Sequence, residues 1–181
     1  MYLNNYSTGN YAVRAPFFKQ LLWFYIGNSI VQSRLIPMAG LKVFVLRLFG
    51  AKIGKNVNIK PGVKVKYPWH LMIGDYSWIG EDVWIDNLVL VTIGPHCCIS
   101  QGAYFCTGNH SWSKVNFDLI TGEIHIEEGS WIGAKSVIGP NVRVEKGAVL
   151  CMGAVATKNL ETMQIYGGNP CRIIKYRVLE N

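Results

Sequence analysis

Hydrophobic positions from Ile53 onward recur every six residues. An aliphatic residue opens each hexad, and a small residue usually stands four places later. Fifteen hexads fall into five sets of three, which begin at Ile53, Ile73, Ile93, Ile126 and Val144. Thirteen of the fifteen openers are Ile, Val or Leu. A strict period of six matches neither an α-helix, with a period of about 3.6, nor a strand with a period of 2.

This pattern predicts a mainly β, triangular solenoid of about five coils. Each hexad would form a short strand and a turn, and three hexads would close one coil. Coils that stack about 4.8 Å apart through backbone hydrogen bonds bury one continuous interior, which the openers fill. Gly follows the opener in six hexads, which predicts a tight turn with an unusual backbone angle there. A β-sandwich is the weaker alternative, because it predicts a period of 2.

The repeat divides the chain into three regions. Residues 1–50 hold two apolar runs with roughly helical spacing, which predicts a mostly helical cap over the first coil. Residues 51–161 form the solenoid, residues 111–125 form an inserted loop, and residues 162–181 are expected to be a short helical tail. The alternative for residues 14–49 is peripheral contact with a membrane, since basic residues lie among the apolar ones.

Charge and cysteine content narrow the environment and the partners. The chain has 18 Lys and Arg against 11 Asp and Glu, a net charge of +7. No nucleic-acid-binding motif accompanies this charge, so an anionic ligand or membrane is the better explanation. Five cysteines without a C-x-x-C pair indicate neither a disulfide framework nor a zinc site. We therefore expect a cytoplasmic protein, with contact at the inner face of the membrane as an extension.

The hexads I-G-D-Y-S-W, I-G-E-D-V-W and I-G-P-N-V-R, with the stretches Y-F-C-T-G-N-H and G-N-P-C-R-I-I-K, are the most specific motifs. In them the chain resembles the hexapeptide-repeat acyltransferases, whose fold is a left-handed parallel β-helix. It looks most similar to the colanic-acid-type O-acetyltransferases, and less so to the maltose and galactoside acetyltransferases. The resemblance implies acetyl-CoA as co-substrate, a sugar or glycan acceptor, no metal, and a homotrimer with active sites between subunits.

His110 is the candidate general base. Acetyl transfer to a hydroxyl needs a group that removes the hydroxyl proton, and imidazole titrates in the useful range. His110 ends the third coil where the repeat breaks, and T-G-N-H matches the catalytic motif of the family. Asp86 and Asn87, about one coil earlier, are candidate acceptor-binding residues, although Asp-Asn also favours a simple turn.

The resemblance also assigns residues to the cofactor. Trp131 and Ala134 would lie beside the pantetheine arm. Arg172 would bind the nucleotide phosphates, because guanidinium groups grip phosphate in a bidentate manner. Further contacts carry over to Met152, Gly153, Ala154, Thr157 and Lys158, although Met152 departs from the small residue usual in the family.

Two other functions stay open at this stage, and a third is disfavoured. An N-acyltransferase acting on an amino sugar would use the same machinery. A non-catalytic solenoid scaffold would not need His110. A zinc-dependent carbonic anhydrase needs three metal-binding histidines, two of them five residues apart. The four histidines here are 26, 14 and 15 residues apart, which disfavours that activity.

Overall fold

The hexads form five complete coils whose strands stack in three parallel sheets, as a computed structural model of residues 2–180 describes them. The first sheet contains β1 (Lys52–Ile53), β4 (Leu71–Ile73), β7 (Val91–Ile93), β12 (Ile124–Ile126) and β15 (Arg143–Val144). The second contains β2 (Asn58–Ile59), β5 (Trp78–Ile79), β8 (Cys98–Ile99), β13 (Trp131–Ile132), β16 (Val149–Leu150), β18 (Gln164–Gly167) and β19 (Arg172–Tyr176). The third contains β3 (Lys64–Val65), β6 (Trp84–Asp86), β9 (Tyr104–Cys106), β14 (Val137–Ile138) and β17 (Val155–Ala156).

The openers stack directly above one another, as the repeat predicts. In the first sheet Ile53 pairs with Ile73, Ile73 with Ile93, Ile93 with Ile126, and Ile126 with Val144. All fifteen openers are buried, and so are most of the small residues four places later. The solenoid and its phase are therefore confirmed.

The glycines that follow the openers have a different role from the one predicted. A Cβ on Gly133 would lie 2.5 Å from the backbone nitrogen of Met152, and one on Gly80 would lie 2.8 Å from that of Gln101. The left-handed backbone occurs two residues later, for example at Asn56 and His96. At five of the six positions glycine is thus required because the next coil passes too close for a side chain, whereas a Cβ on Gly139 would make only an ordinary contact, 3.4 Å from the carbonyl oxygen of Ala156.

The N-terminal region is helical and packs on the solenoid in two ways. Helix α1 (Phe17–Leu22), a π-helical turn (Trp23–Gly27) and α2 (Asn28–Gln32) run consecutively beside β3, where the indole of Trp23 donates to backbone carbonyls. Helix α3 (Ala39–Leu48) covers the open end of the first coil with its buried face. None of the helices in residues 2–180 has the length and apolar content to cross a bilayer.

The C-terminal tail is a strand pair, so the predicted short helix is wrong. Strand β18 continues the second sheet in parallel with β16, and β19 then pairs antiparallel with β18. The last coil leaves the backbone groups of β16 open, and β18 satisfies them by beginning a sixth coil. A helix there would leave this edge unpaired.

Candidate active site

His110 lies on a β-hairpin that leaves the solenoid after the third coil. Strand β10 (Gly108–His110) pairs antiparallel with β11 (Leu119–Thr121), so the excursion begins within the T-G-N-H motif itself. The Nδ1 atom of His110 lies 3.1 Å from the carbonyl oxygen of Phe117. A carbonyl can only accept a hydrogen bond, so in the neutral ring Nδ1 carries the hydrogen and Nε2 keeps its lone pair.

Two aromatic residues hold the imidazole in place. The ring of Phe117 stacks on that of His110 with centroids 4.3 Å apart and planes inclined by 4°. Phe117 has a φ of +53°, an unfavourable value for a bulky residue, and this turn directs its carbonyl toward His110. The ring of Tyr6 also lies near the imidazole, with centroids 5.8 Å apart and planes inclined by 51°. The sequence gives no signal for either contact.

The N-terminal segment before α1 contributes to this hairpin. The backbone nitrogen of Leu119 donates to Ser7, and that of Tyr2 donates to Val115. The backbone nitrogen of Ser7 in turn donates to the carboxylate of Asp118. These bonds join the N-terminal segment to the hairpin beside His110 and anchor the hairpin on one side.

Asp86 lies at the end of β6 and presents its carboxylate to two neighbours. The Nζ atom of Lys66 lies 2.9 Å from Oδ1, and the hydroxyl of Tyr104 donates to Oδ2 at 3.2 Å. Burial raises the pKa of the Tyr104 hydroxyl, so Tyr104 stays protonated as a donor. Lys66, Asp86 and Cys106 each follow an opener of the third sheet, so the repeat could have placed the first two together.

Asn87 has a structural role and is not placed to bind an acceptor. Its side chain is fully buried. The amide accepts from the backbone nitrogen of Tyr67 and donates to the carbonyls of Tyr67 and His70. These three bonds fix the corner of the preceding coil and leave no group free for a ligand.

The residues assigned to the pantetheine arm line one groove. It has a volume of about 390 Å³ and is mainly apolar, with Trp131, Ala134 and Met152 among its lining residues. The indole nitrogen of Trp131 donates to Ser100, which fixes the ring across the groove. Gly153 donates its backbone hydrogen to Ala134. Ala154 is buried, and both of its backbone groups bond within the solenoid, so it does not face the groove.

A second groove collects the residues assigned to the phosphates. Thr157, Lys158 and Arg172 line a cavity of about 590 Å³ at the last coil, together with Tyr166 on β18. Arg172 begins β19, so the strand that replaces the predicted helix places this residue at the same cavity as Lys158. Two cations and a hydroxyl in one cavity can bind phosphate groups.

The other histidines are placed elsewhere. His96 stacks on Tyr76 at an outer corner, with centroids 5.1 Å apart, and His125 pairs with Glu123. His70 is half-buried, and burial lowers its pKa, so its ring is neutral. Within residues 2–180, no group of His, Cys, Asp and Glu side chains is arranged to hold a metal ion.

Comparisons with known proteins identify relatives of this chain. No protein-family model matches the chain. WcaF of Escherichia coli K12, whose name describes a colanic acid biosynthesis acetyltransferase, is 39% identical over 160 residues, or 88% of each chain. The galactoside O-acetyltransferase of the same organism is 28% identical over 128 residues, 69% of this chain and 63% of that one.

Solved structures share the fold. The hexapeptide-repeat acetyltransferase VCA0836 of Vibrio cholerae, complexed with acetyl coenzyme A, matches with a TM-score of 0.79 and 22% identity, covering 88% of this chain and 87% of that one. A galactoside acetyltransferase in complex with coenzyme A matches with a TM-score of 0.77 and 21% identity, covering 88% and 80%. Because the chain forms this solenoid and is 39% identical to WcaF, it belongs to the hexapeptide-repeat acetyltransferase family and is an acyltransferase.

Proposed function

We propose that this protein is an acetyl-CoA-dependent O-acetyltransferase that acts on a hydroxyl of a sugar or polysaccharide precursor, with His110 as general base. The observation that carries the proposal is the hydrogen bond from Nδ1 of His110 to Phe117, which leaves Nε2 as the acceptor of a proton. The relatives named for acetyl transfer to galactosides and in colanic acid biosynthesis support a carbohydrate acceptor.

In the proposed mechanism acetyl-CoA occupies the two grooves of the last coils. Trp131 and Ala134 border the pantetheine arm, and Lys158 and Arg172 bind the phosphates. Nε2 of His110 removes the proton of the acceptor hydroxyl as its oxygen attacks the thioester carbonyl. The carbon–sulfur bond then breaks, and the imidazolium returns the proton to the CoA thiolate. Asp86 orients the acceptor through its carboxylate.

A homotrimer with active sites between subunits completes the proposal. Trp112, near the tip of the His110 hairpin, is 79% exposed in the single chain, and Val115 beside it is also exposed. A large apolar side chain at the tip of a catalytic excursion is explained if a neighbouring subunit covers it. Light scattering of the purified protein measures the assembly. A monomer that retains full activity contradicts this part of the proposal.

We also infer peripheral contact between residues 14–49 and an anionic membrane surface. Four large side chains of the α1–π segment, Phe17, Phe18, Phe24 and Tyr25, are each at least 65% exposed. The first 74 residues contain ten Lys and Arg and no Asp or Glu. An exposed apolar helix face within a purely basic region fits the interface of a bilayer with anionic lipids.

An acceptor screen tests the central proposal. The purified protein is incubated with acetyl-CoA and a panel of glycosides and amino sugars, and products are identified by mass spectrometry. We expect a mass increase of one acetyl group on glycosides that carry only hydroxyls. Acetylation confined to amines favours the N-acyltransferase alternative, and no product on any acceptor favours a scaffold.

A further inference from the structure

A second apolar groove lies between the N-terminal helices and the third sheet, outside the region assigned to acetyl-CoA. We call it the helix groove. It has a volume of about 520 Å³, in the usual range for small-molecule sites. Its apolar lining comes from both sides. The helices supply Phe17, Leu21, Trp23 and Phe24, and the solenoid supplies Val65 and Trp84.

Polar groups occur at defined places in this apolar lining. Lys64, Lys66 and Asp86 lie on its solenoid side. Lys64 is opposite Trp84 in the ladder, with its Nζ 5.8 Å from the indole centroid, and Lys66 pairs with Asp86 two residues further on. Along the two strands, the Lys64 cation over the Trp84 ring is thus followed, about 7 Å further on, by the carboxylate of Asp86.

A buried polar atom on the helix side also lacks a protein partner. Asn28 lines the helix groove, and its Oδ1 atom is buried without a hydrogen-bond partner among residues 2–180. A buried acceptor without a partner is costly. A ligand hydroxyl or a bound water in the groove would satisfy it.

We propose that the helix groove binds the lipid end of the acceptor, so that the substrate class is a saccharide joined through phosphate to a membrane lipid. This inference rests on the proposed O-acetyltransferase function and names its acceptor class. The apolar helices would contact the first part of the hydrocarbon chain, Lys64 would bind the phosphate, and Asp86 would receive the first sugar.

The position of the helix groove within the molecule supports this occupant. Its outer wall is formed by Phe17 and Phe24, which also belong to the exposed face assigned to the membrane. Its inner end is Asp86, which lies opposite Cys106, and His110 is only four residues beyond Cys106. The Cα atoms of Asp86 and His110 are therefore no more than roughly 20 Å apart, a span that a short saccharide can bridge.

Binding of farnesyl diphosphate tests the proposal without knowledge of the sugar. This probe carries a short prenyl chain and two phosphates, and its affinity for the full-length protein is measured by calorimetry. We expect it to bind at least about tenfold more tightly than inorganic diphosphate, because one prenyl chain buries enough apolar surface for that difference. Leu21→Asn and Lys64→Gln should each weaken binding about tenfold. Val178→Asn is the matched control, because this exposed residue lies outside the groove.

Each outcome decides the question. Equal affinity for farnesyl diphosphate and inorganic diphosphate overturns the proposal, as does unchanged binding by Leu21→Asn. An equal loss in Val178→Asn also overturns it, because binding would then be non-specific. CoA affinity, measured on the same samples, shows whether each variant is folded. The glycoside screen reports on O-acetyl transfer separately, so the failure of the helix groove can be distinguished from failure of the proposed function.

Discussion

The two ends of this solenoid differ in charge and in what they expose. The first 74 residues hold ten Lys and Arg and no acidic residue, and their helices expose aromatic side chains. The other 107 residues hold eight Lys and Arg and eleven Asp and Glu, and they form the grooves assigned to acetyl-CoA. The net charge of +7 is therefore a property of one end. In the proposed mechanism, cofactor binding at the other end depends on two cations, Lys158 and Arg172, which line one cavity.

The largest expected effect falls between the two ends, at His110. His110→Ala should lower kcat by a factor of about 10² to 10⁴, the usual contribution of general base catalysis. The affinity for CoA should not change, because His110 lines neither of the two grooves assigned to CoA. Steady-state kinetics on an acceptor found in the screen and calorimetry with CoA measure the two quantities. Full activity of this variant would refute the assignment of the base.

Within the solenoid, two glycines distinguish two reasons for needing glycine: close approach of the next coil, and a left-handed backbone angle. Gly133→Ala should lower the free energy of unfolding by about 3 kcal/mol, because its Cβ would meet the backbone of Met152. Gly153 has a φ of +68° and open space around it, so Gly153→Ala should cost only about 1 kcal/mol. Chemical denaturation measures both. A larger loss at Gly153 would show that the backbone angle, not the coil contact, sets the requirement for glycine.

At the basic end, Phe24→Ser should weaken binding to vesicles that contain anionic lipid by roughly tenfold or more, since burial of a Phe side chain is worth about 2 kcal/mol. Co-sedimentation with phosphatidylglycerol vesicles measures the change, and binding should fall as salt is added. Val178→Ser is the control, because Val178 is similarly exposed at the opposite end of the chain. Equal losses in the two variants would remove the distinction between the ends.

At the other end, Arg172→Ala should raise KM for acetyl-CoA about tenfold and leave kcat unchanged, because a charge-assisted bond to phosphate is worth about 1.5–3 kcal/mol. Lys175→Ala, three residues further on the same strand, is the control. A short acetyl thioester without phosphates should not distinguish Arg172→Ala from the unmodified protein. If it does, Arg172 acts on the chemistry or the fold.

Sequence reasoning succeeded where one position repeats and failed where a contact occurs once. The openers share one environment on every coil, so their spacing was enough to predict the register of Ile53 with Ile73. The contact of Phe117 with His110 depends on one turn of the hairpin, and the role of Asn87 depends on which way its amide turns. The C-terminal strand pair forms because the last coil needs a partner, which local helix and turn signals do not reveal.

Two buried ionisable groups, one in each region, predict opposite responses of stability to alkaline pH. Lys42 on α3 is enclosed between the carbonyls of Ser33 and Lys60, and burial lowers the pKa of its ammonium. Lys42 therefore holds its proton more tightly in the unfolded chain than in the folded one. Its contribution to stability rises as the pH approaches the ordinary pKa of lysine. Cys97, inside the third coil, behaves in the opposite way, because burial raises the pKa of its thiol to about 11. Its contribution is complete below about pH 9 and is lost as pH rises toward 11.

The two groups can be separated by denaturation at pH 9, 10 and 11. The free energy of unfolding of Cys97→Ala should fall less steeply with pH than that of the unmodified protein, by on the order of 2 kcal/mol across this window. The free energy of unfolding of Lys42→Met should fall more steeply with pH than that of the unmodified protein. This variant lacks the Lys42 contribution, which rises with pH. Parallel curves for all three proteins would mean that neither group titrates differently on folding. A steeper fall in Cys97→Ala would place its thiol in a polar environment, which contradicts the packed interior of the third coil.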